Sequence, residues 1–257
     1  MKSKGLLPLF GGAAKVVFLN QWRGTMTSPD WDVASPLSRL GLEDANGIPE
    51  GGFGAVAAPA GVGKTALLVQ LALHAMLKDE AVLHVSLQDP VQKIGLWYRE
   101  LFQNLAGREA LPRAGQVWER ILPNRFIMSF QVEGFSVPRL EERISDLTAQ
   151  NIFHPRLMIV DGLRFQPGID PTLKDLKRYA EKQGLRVWFT VHVHRQDGDA
   201  HGLGPDGLNA LLEMFSVILR LDTVGDEIKI RVEKGFPGGD APAILSMDPT
   251  SLLLRAS

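Results

Sequence analysis

The sequence predicts an α/β domain with a mostly parallel central sheet, flanking helices and an antiparallel C-terminal extension. Three observations carry that expectation. From Gly51 onward, short β-branched runs alternate with helical patterns, as parallel strands joined by crossover helices require. The candidate strands are nearly continuous apolar runs, the pattern of strands covered on both faces. After about residue 212 the pattern changes to short strands separated by turn-forming residues.

Strands are expected at 53–57, 81–87, 125–130, 157–160 and 186–191. Helices are expected at 65–77, where Leu67, Leu68, Leu71 and Leu73 accompany Ala66 and Ala72, and at 138–150, where Leu140, Ile144 and Leu147 have helical spacing. A third covers 173–182. Further strands are expected at 215–221, 227–233, 243–247 and 251–254, with Val224-Gly225-Asp226 and Gly235 to Gly239 supplying turns. Residues 1–46 are rich in Gly, Pro, Ser and Trp and weakly periodic. They read as an N-terminal arm or cap ahead of a main domain over 47–257.

Composition narrows the function classes. Of 257 residues, 45% are hydrophobic and 22% charged, which permits a sizeable core and excludes global disorder. The net charge of −1 supplies no strong field toward nucleic acid or an anionic membrane, so nucleic-acid binding would need a local basic patch. The absence of cysteine excludes disulfides, thiolate metal sites and cysteine nucleophiles. No apolar run reaches the roughly 18 residues of a membrane span. Lys2 and Lys4 ahead of Leu6 to Phe10 faintly suggest a signal sequence, but Pro8, Gly11-Gly12 and Lys15 interrupt it. The expectation is a cytoplasmic arm and no membrane partner.

The main chemical signal is Ala58-Pro59-Ala60-Gly61-Val62-Gly63-Lys64-Thr65. It follows a candidate strand and opens a candidate helix, the context a phosphate loop needs. Backbone N–H groups from Ala60 through Ala66 and the helix N-terminus form an anion nest. Gly61 and Gly63 allow close backbone approach, Lys64 faces the β- and γ-phosphates, and Thr65 ligates Mg²⁺. Ala58 stands where the strict pattern has Gly. A second signal is Arg156-Leu157-Met158-Ile159-Val160-Asp161, an apolar strand ending in a carboxylate. Asp161 is thereby expected at the sheet's C-terminal edge, holding Mg²⁺ or Thr65.

With Gly47 to Gly52, these motifs and Val85-Ser86-Leu87-Gln88-Asp89-Pro90 resemble the RecA-like P-loop ATPases, nearest the KaiC-like and DnaB-like branches. The resemblance runs roughly from Gly47 to Leu254. It implies ATP and Mg²⁺ as ligands, ADP as product, and a homo-oligomer of the hexameric-ring or filament kind. It also marks departures. Where those families place a water-activating glutamate after the second strand, this chain has Gln88, with Asp89 beside it as a possible substitute. The switch position, often Gln, is His192. The finger turn, usually Lys-x-Arg, retains Lys234. An amide orients water but accepts no proton at neutral pH.

The sequence therefore points to an ATP-binding protein, a slow or degenerate ATPase acting as a nucleotide-dependent regulatory or assembly module. A DNA-dependent ATPase of helicase or recombination type and a non-catalytic ATP-binding scaffold remain open alternatives. His192, His194 and His201 allow a metal site as the alternative to a phosphate-sensing His192. The Gly-rich stretch from Arg195 to Gly207 reads as a solvated loop, with DNA contact as its alternative. Trp22 and Trp31 are candidate packing or interface residues, and Trp188 a core residue.

Overall fold

Helices connect successive strands of a single sheet. The computed structural model describes residues 48–107, 111–131, 134–166, 168–193, 213–235 and 244–255, all within the compact unit Val33–Ser257. Trp22, Trp31, His194, His201 and the 195–207 stretch lie outside the described residues, as does all of the expected N-terminal arm.

The elements run β1 (Phe53–Ala58), α1 (Lys64–Leu77), β2 (Val82–Ser86), α2 (Val91–Ala106), α3 (Leu111–Ile121), β3 (Arg125–Ser129) and α4 (Val137–Ala149). They continue as β4 (Leu157–Asp161), α5 (Asp170–Gln183), β5 (Arg186–His192), β6 (Val217–Val224), β7 (Glu227–Lys234) and β8 (Leu245–Met247). The sheet has eight strands in the order β3-β2-β4-β5-β1-β6-β7-β8. The first six are mutually parallel, and β7 and β8 are antiparallel to their neighbours. This is the RecA-like P-loop architecture expected from the sequence.

Two expected details change. β6 belongs to the parallel sheet, registered Gly54↔Val217 through Ala57↔Arg220 against β1, so the antiparallel extension begins only at β7. The 24 residues between His192 and Val217 exceed the dozen or so that a parallel crossover needs. The strand expected at 251–254 is instead a turn with one bridge, Met247↔Leu254. There the Asp248 carboxylate accepts from the N–H groups of Thr250 and Ser251, both at 2.8 Å, and captures the backbone bonds a strand would use.

α2 and α3 were not anticipated. Ile94, Tyr98, Leu101 and Phe102 are the buried residues of α2, and their i, i+4, i+7, i+8 spacing is helical. Of the tryptophans, Trp188 is fully buried on β5, opposite Gly54, where an added Cβ would lie 2.7 Å from the indole. Trp118 packs on Phe102 with centroids 5.1 Å apart. Phe53 at the start of β1, Phe189 within β5 and Phe215 just ahead of β6 form a triangle with centroids 4.9, 5.8 and 5.5 Å apart. Each such pair contributes about 0.5–1.5 kcal/mol beyond its area burial.

Candidate nucleotide site

The chain leaves β1 toward β2 on one side of it and returns past β4 and β5 to β6 on the other. Where the strand order reverses, the loops beyond the C-terminal strand ends open a crevice. A cleft of about 690 Å³ lies there, lined by the loop between β1 and α1 and by the ends of β2, β4 and β5.

The loop closes on α1 through Gly63, whose φ of 101° and ψ of 20° are left-handed; an added Cβ would also lie 2.6 Å from Met247 Cε. Gly61 has φ 77°. These dihedrals strain any side-chain-bearing residue, so both glycines are required by the turn itself. The first turn of α1 holds no acidic residue, leaving the positive end of its dipole facing the cleft. Lys64 Nζ donates to the carbonyls of Ala58 and Pro59 at 2.9 and 2.8 Å, which stretches its side chain across the loop. Burial draws the Lys64 ammonium below its usual value, and the Asp161 charge opposes that. Ala60, Gly61, Gly63, Lys64, Thr65 and Ala66 line the cleft. Val62 is buried, so its side chain belongs to the packing of the loop.

Asp161 closes the far wall. Thr65 Oγ1 donates to Asp161 Oδ2 at 2.9 Å, and Thr190 Oγ1 donates to Oδ1 at 2.8 Å. His84 Nε2 stands 3.8 Å from Oδ2, while its Nδ1 lies 3.2 Å from the Tyr98 hydroxyl. Register explains the cluster: Ser86 pairs with Asp161 and His84 with Ile159, which sets His84 diagonal to Asp161 on the same face. Burial alone pushes the Asp161 carboxyl up, but the His84, Thr190 and Thr65 contacts outweigh it and hold the carboxyl below its ordinary range. Asp161 is thus ionised at neutral pH. A hydroxyl and an ionised carboxylate 2.9 Å apart at the loop's mouth are hard oxygen donors of the kind Mg²⁺ takes. His84 and Thr190 were not singled out from the sequence. Their signal was a polar residue inside each of two otherwise apolar strands, Val82–Ser86 and Arg186–His192.

The remaining candidates separate. Gln88 lines the cleft, its Nε2 3.5 Å from the Gly162 carbonyl. Asp89 turns away. Its carboxylate accepts from Lys93 Nζ at 2.9 Å, and its backbone is clamped by Ser86, whose Oγ accepts from Asp89 N–H at 3.0 Å and donates to Asp89 O at 2.8 Å. His192, exposed at the end of β5, lines the cleft. Lys234 does not reach it: it ends β7 opposite Ile218 near the start of β6, at the sheet edge remote from the loop, with Nζ 3.5 Å from Glu213. Among the described residues no group of three His, Cys, Asp or Glu side chains is arranged to hold a metal ion.

Fold and cleft together define a P-loop, ATPase-type nucleotide-binding module. The model of the AAA domain family matches residues 25–198, and the chain belongs to that family. The match spans the phosphate loop, Gln88, Asp161 and His192 and ends before β6. No curated protein sequence matches the chain. Among the described residues no helix is long and apolar enough to cross a membrane.

Proposed function

We propose that this protein binds ATP with Mg²⁺, hydrolyses it slowly, and uses the bound nucleotide to set a regulatory or assembly state, as a relative of the KaiC-like and DnaB-like branches. In this reading Lys64 and the loop N–H groups hold the phosphates, and Thr65 and Asp161 hold the metal. The metal would neutralise phosphate charge and template the terminal phosphate.

One observation carries the slow-turnover half of the reading. The side chain at the end of β2 that lines the cleft is the amide of Gln88, while the neighbouring carboxylate of Asp89 is tied to Lys93. Gln88 can hold a water in line with the terminal phosphate but cannot take its proton. An assembly role would involve Lys234 only in trans. A cation at the edge remote from its own loop serves a nucleotide only across a subunit boundary. Phosphate release measured with and without single-stranded DNA tests the proposal. Slow release unaffected by DNA is expected. Release on the order of 10 per second without a partner, or strong DNA stimulation, overturns it.

A further inference from the structure

The cleft lining holds one more charged side chain than the reading above uses. That reading assigns Lys64 to the phosphates and Asp161 to the metal. A third charged residue lines the same cleft: Arg164, three positions beyond Asp161. It is exposed, and its guanidinium has no hydrogen-bond or ion-pair partner among the described residues.

Its placement is built into the fold. Gly162 has φ 87°, donates its N–H to Thr190 Oγ1 at 2.9 Å, and is crowded so that an added Cβ would lie 2.7 Å from Gln88 Cγ. Leu163 is buried, and the Phe165 ring packs 6.0 Å from Phe189 and 6.1 Å from Phe215. The two apolar neighbours are thus anchored on the core, and the guanidinium between them is left at the cleft wall, beside the ends of β2 and β5. Gln88 and His192 line the same cleft.

We infer that Arg164 is a phosphate-binding residue supplied in cis, contacting the terminal phosphate of a bound nucleoside triphosphate. The inference rests on the phosphate-loop reading above and extends it. The chemistry suits the task. A guanidinium keeps its charge at all accessible pH, and its planar fork matches two phosphate oxygens at once. In this arrangement the loop and Lys64 would hold the phosphates from the α1 side, and Arg164 would meet them from the end of β4. It gives the chain a cation within its own subunit, which Lys234 does not.

Calorimetric affinities for Mg·ATP and Mg·ADP test this on the full chain, Arg164→Ala, Arg164→Lys and Lys64→Ala. Arg164→Ala is expected to lose about tenfold or more in ATP affinity, the scale of one charged hydrogen-bonded contact, with ADP affinity unchanged. Arg164→Lys should recover part of the loss, because the charge returns without the fork. An unchanged thermal midpoint for both variants is expected at this exposed position, and the lysine variant keeps the test valid if alanine unsettles the loop. Equal losses for ATP and ADP, no loss for either, or a loss confined to single-stranded DNA binding each overturn the inference alone. Wild-type ATP affinity in Lys64→Ala overturns the phosphate-loop reading and this inference with it.

Discussion

The two walls of the cleft are organised differently. On the α1 side, every group converges: two left-handed glycines, a lysine drawn across the loop, and Thr65 bonded directly to Asp161. On the other side the candidate groups are dispersed. Gln88 faces the cleft without basicity, Asp89 is tied to Lys93, and Lys234 stands at the opposite sheet edge. Binding a phosphate chain needs only a nest and a cation, which one loop supplies. Turnover needs a placed water, a proton acceptor and charge relief at the same point, and the loss of any one is felt.

The largest effect should come from the converged wall. Lys64→Ala is expected to weaken ATP binding by about two orders of magnitude or more, through loss of charge-assisted bonds to phosphate oxygens; calorimetry that shows equal affinities would erase the distinction between the walls. Next comes the dispersed wall. Gln88→Glu should raise turnover by about 10- to 100-fold, toward the lower end of what a general base provides, while Asp89→Asn changes little. The reverse pattern in a phosphate-release assay would make Asp89 the base. A smaller effect is expected at the boundary of the two. Asp161→Asn should raise the Mg²⁺ needed for half-maximal ATP binding by roughly tenfold, and a nucleotide-bound structure with Asp161 remote from the metal would refute that assignment. The smallest belongs to Lys234. If it serves a neighbouring nucleotide, ATP should promote oligomers and Lys234→Ala should reduce that by a few-fold at most, as an exposed charge contributes little. A monomer in sedimentation with and without ATP removes the role.

The phosphate loop was legible in the sequence because its glycines, lysine and threonine are contiguous, and because a phosphate nest is made by local backbone. The β4 carboxylate was legible for a related reason: an apolar run ending in Asp places that residue at a strand end whatever its neighbours are. α2 was legible in principle, since Ile94, Tyr98, Leu101 and Phe102 keep helical spacing, yet it lies between two stronger strand signals. The 251–254 run looked like a strand because alternation cannot reveal that the Asp248 carboxylate takes its N–H groups.

What the sequence by itself determined, then, is the class of fold, the loop and the identity of the groups at strand ends, all properties set by short-range pattern. Tertiary structure decided which of those groups meet. Strand order and register put His84 and Thr190 on Asp161, turned β6 parallel, carried Lys234 to the far edge and left Arg164 on the cleft wall. The physical reason is that a strand's neighbours and its offset against them are fixed by long-range packing. Residues 77 positions apart, as His84 and Asp161 are, carry no local signal of their meeting.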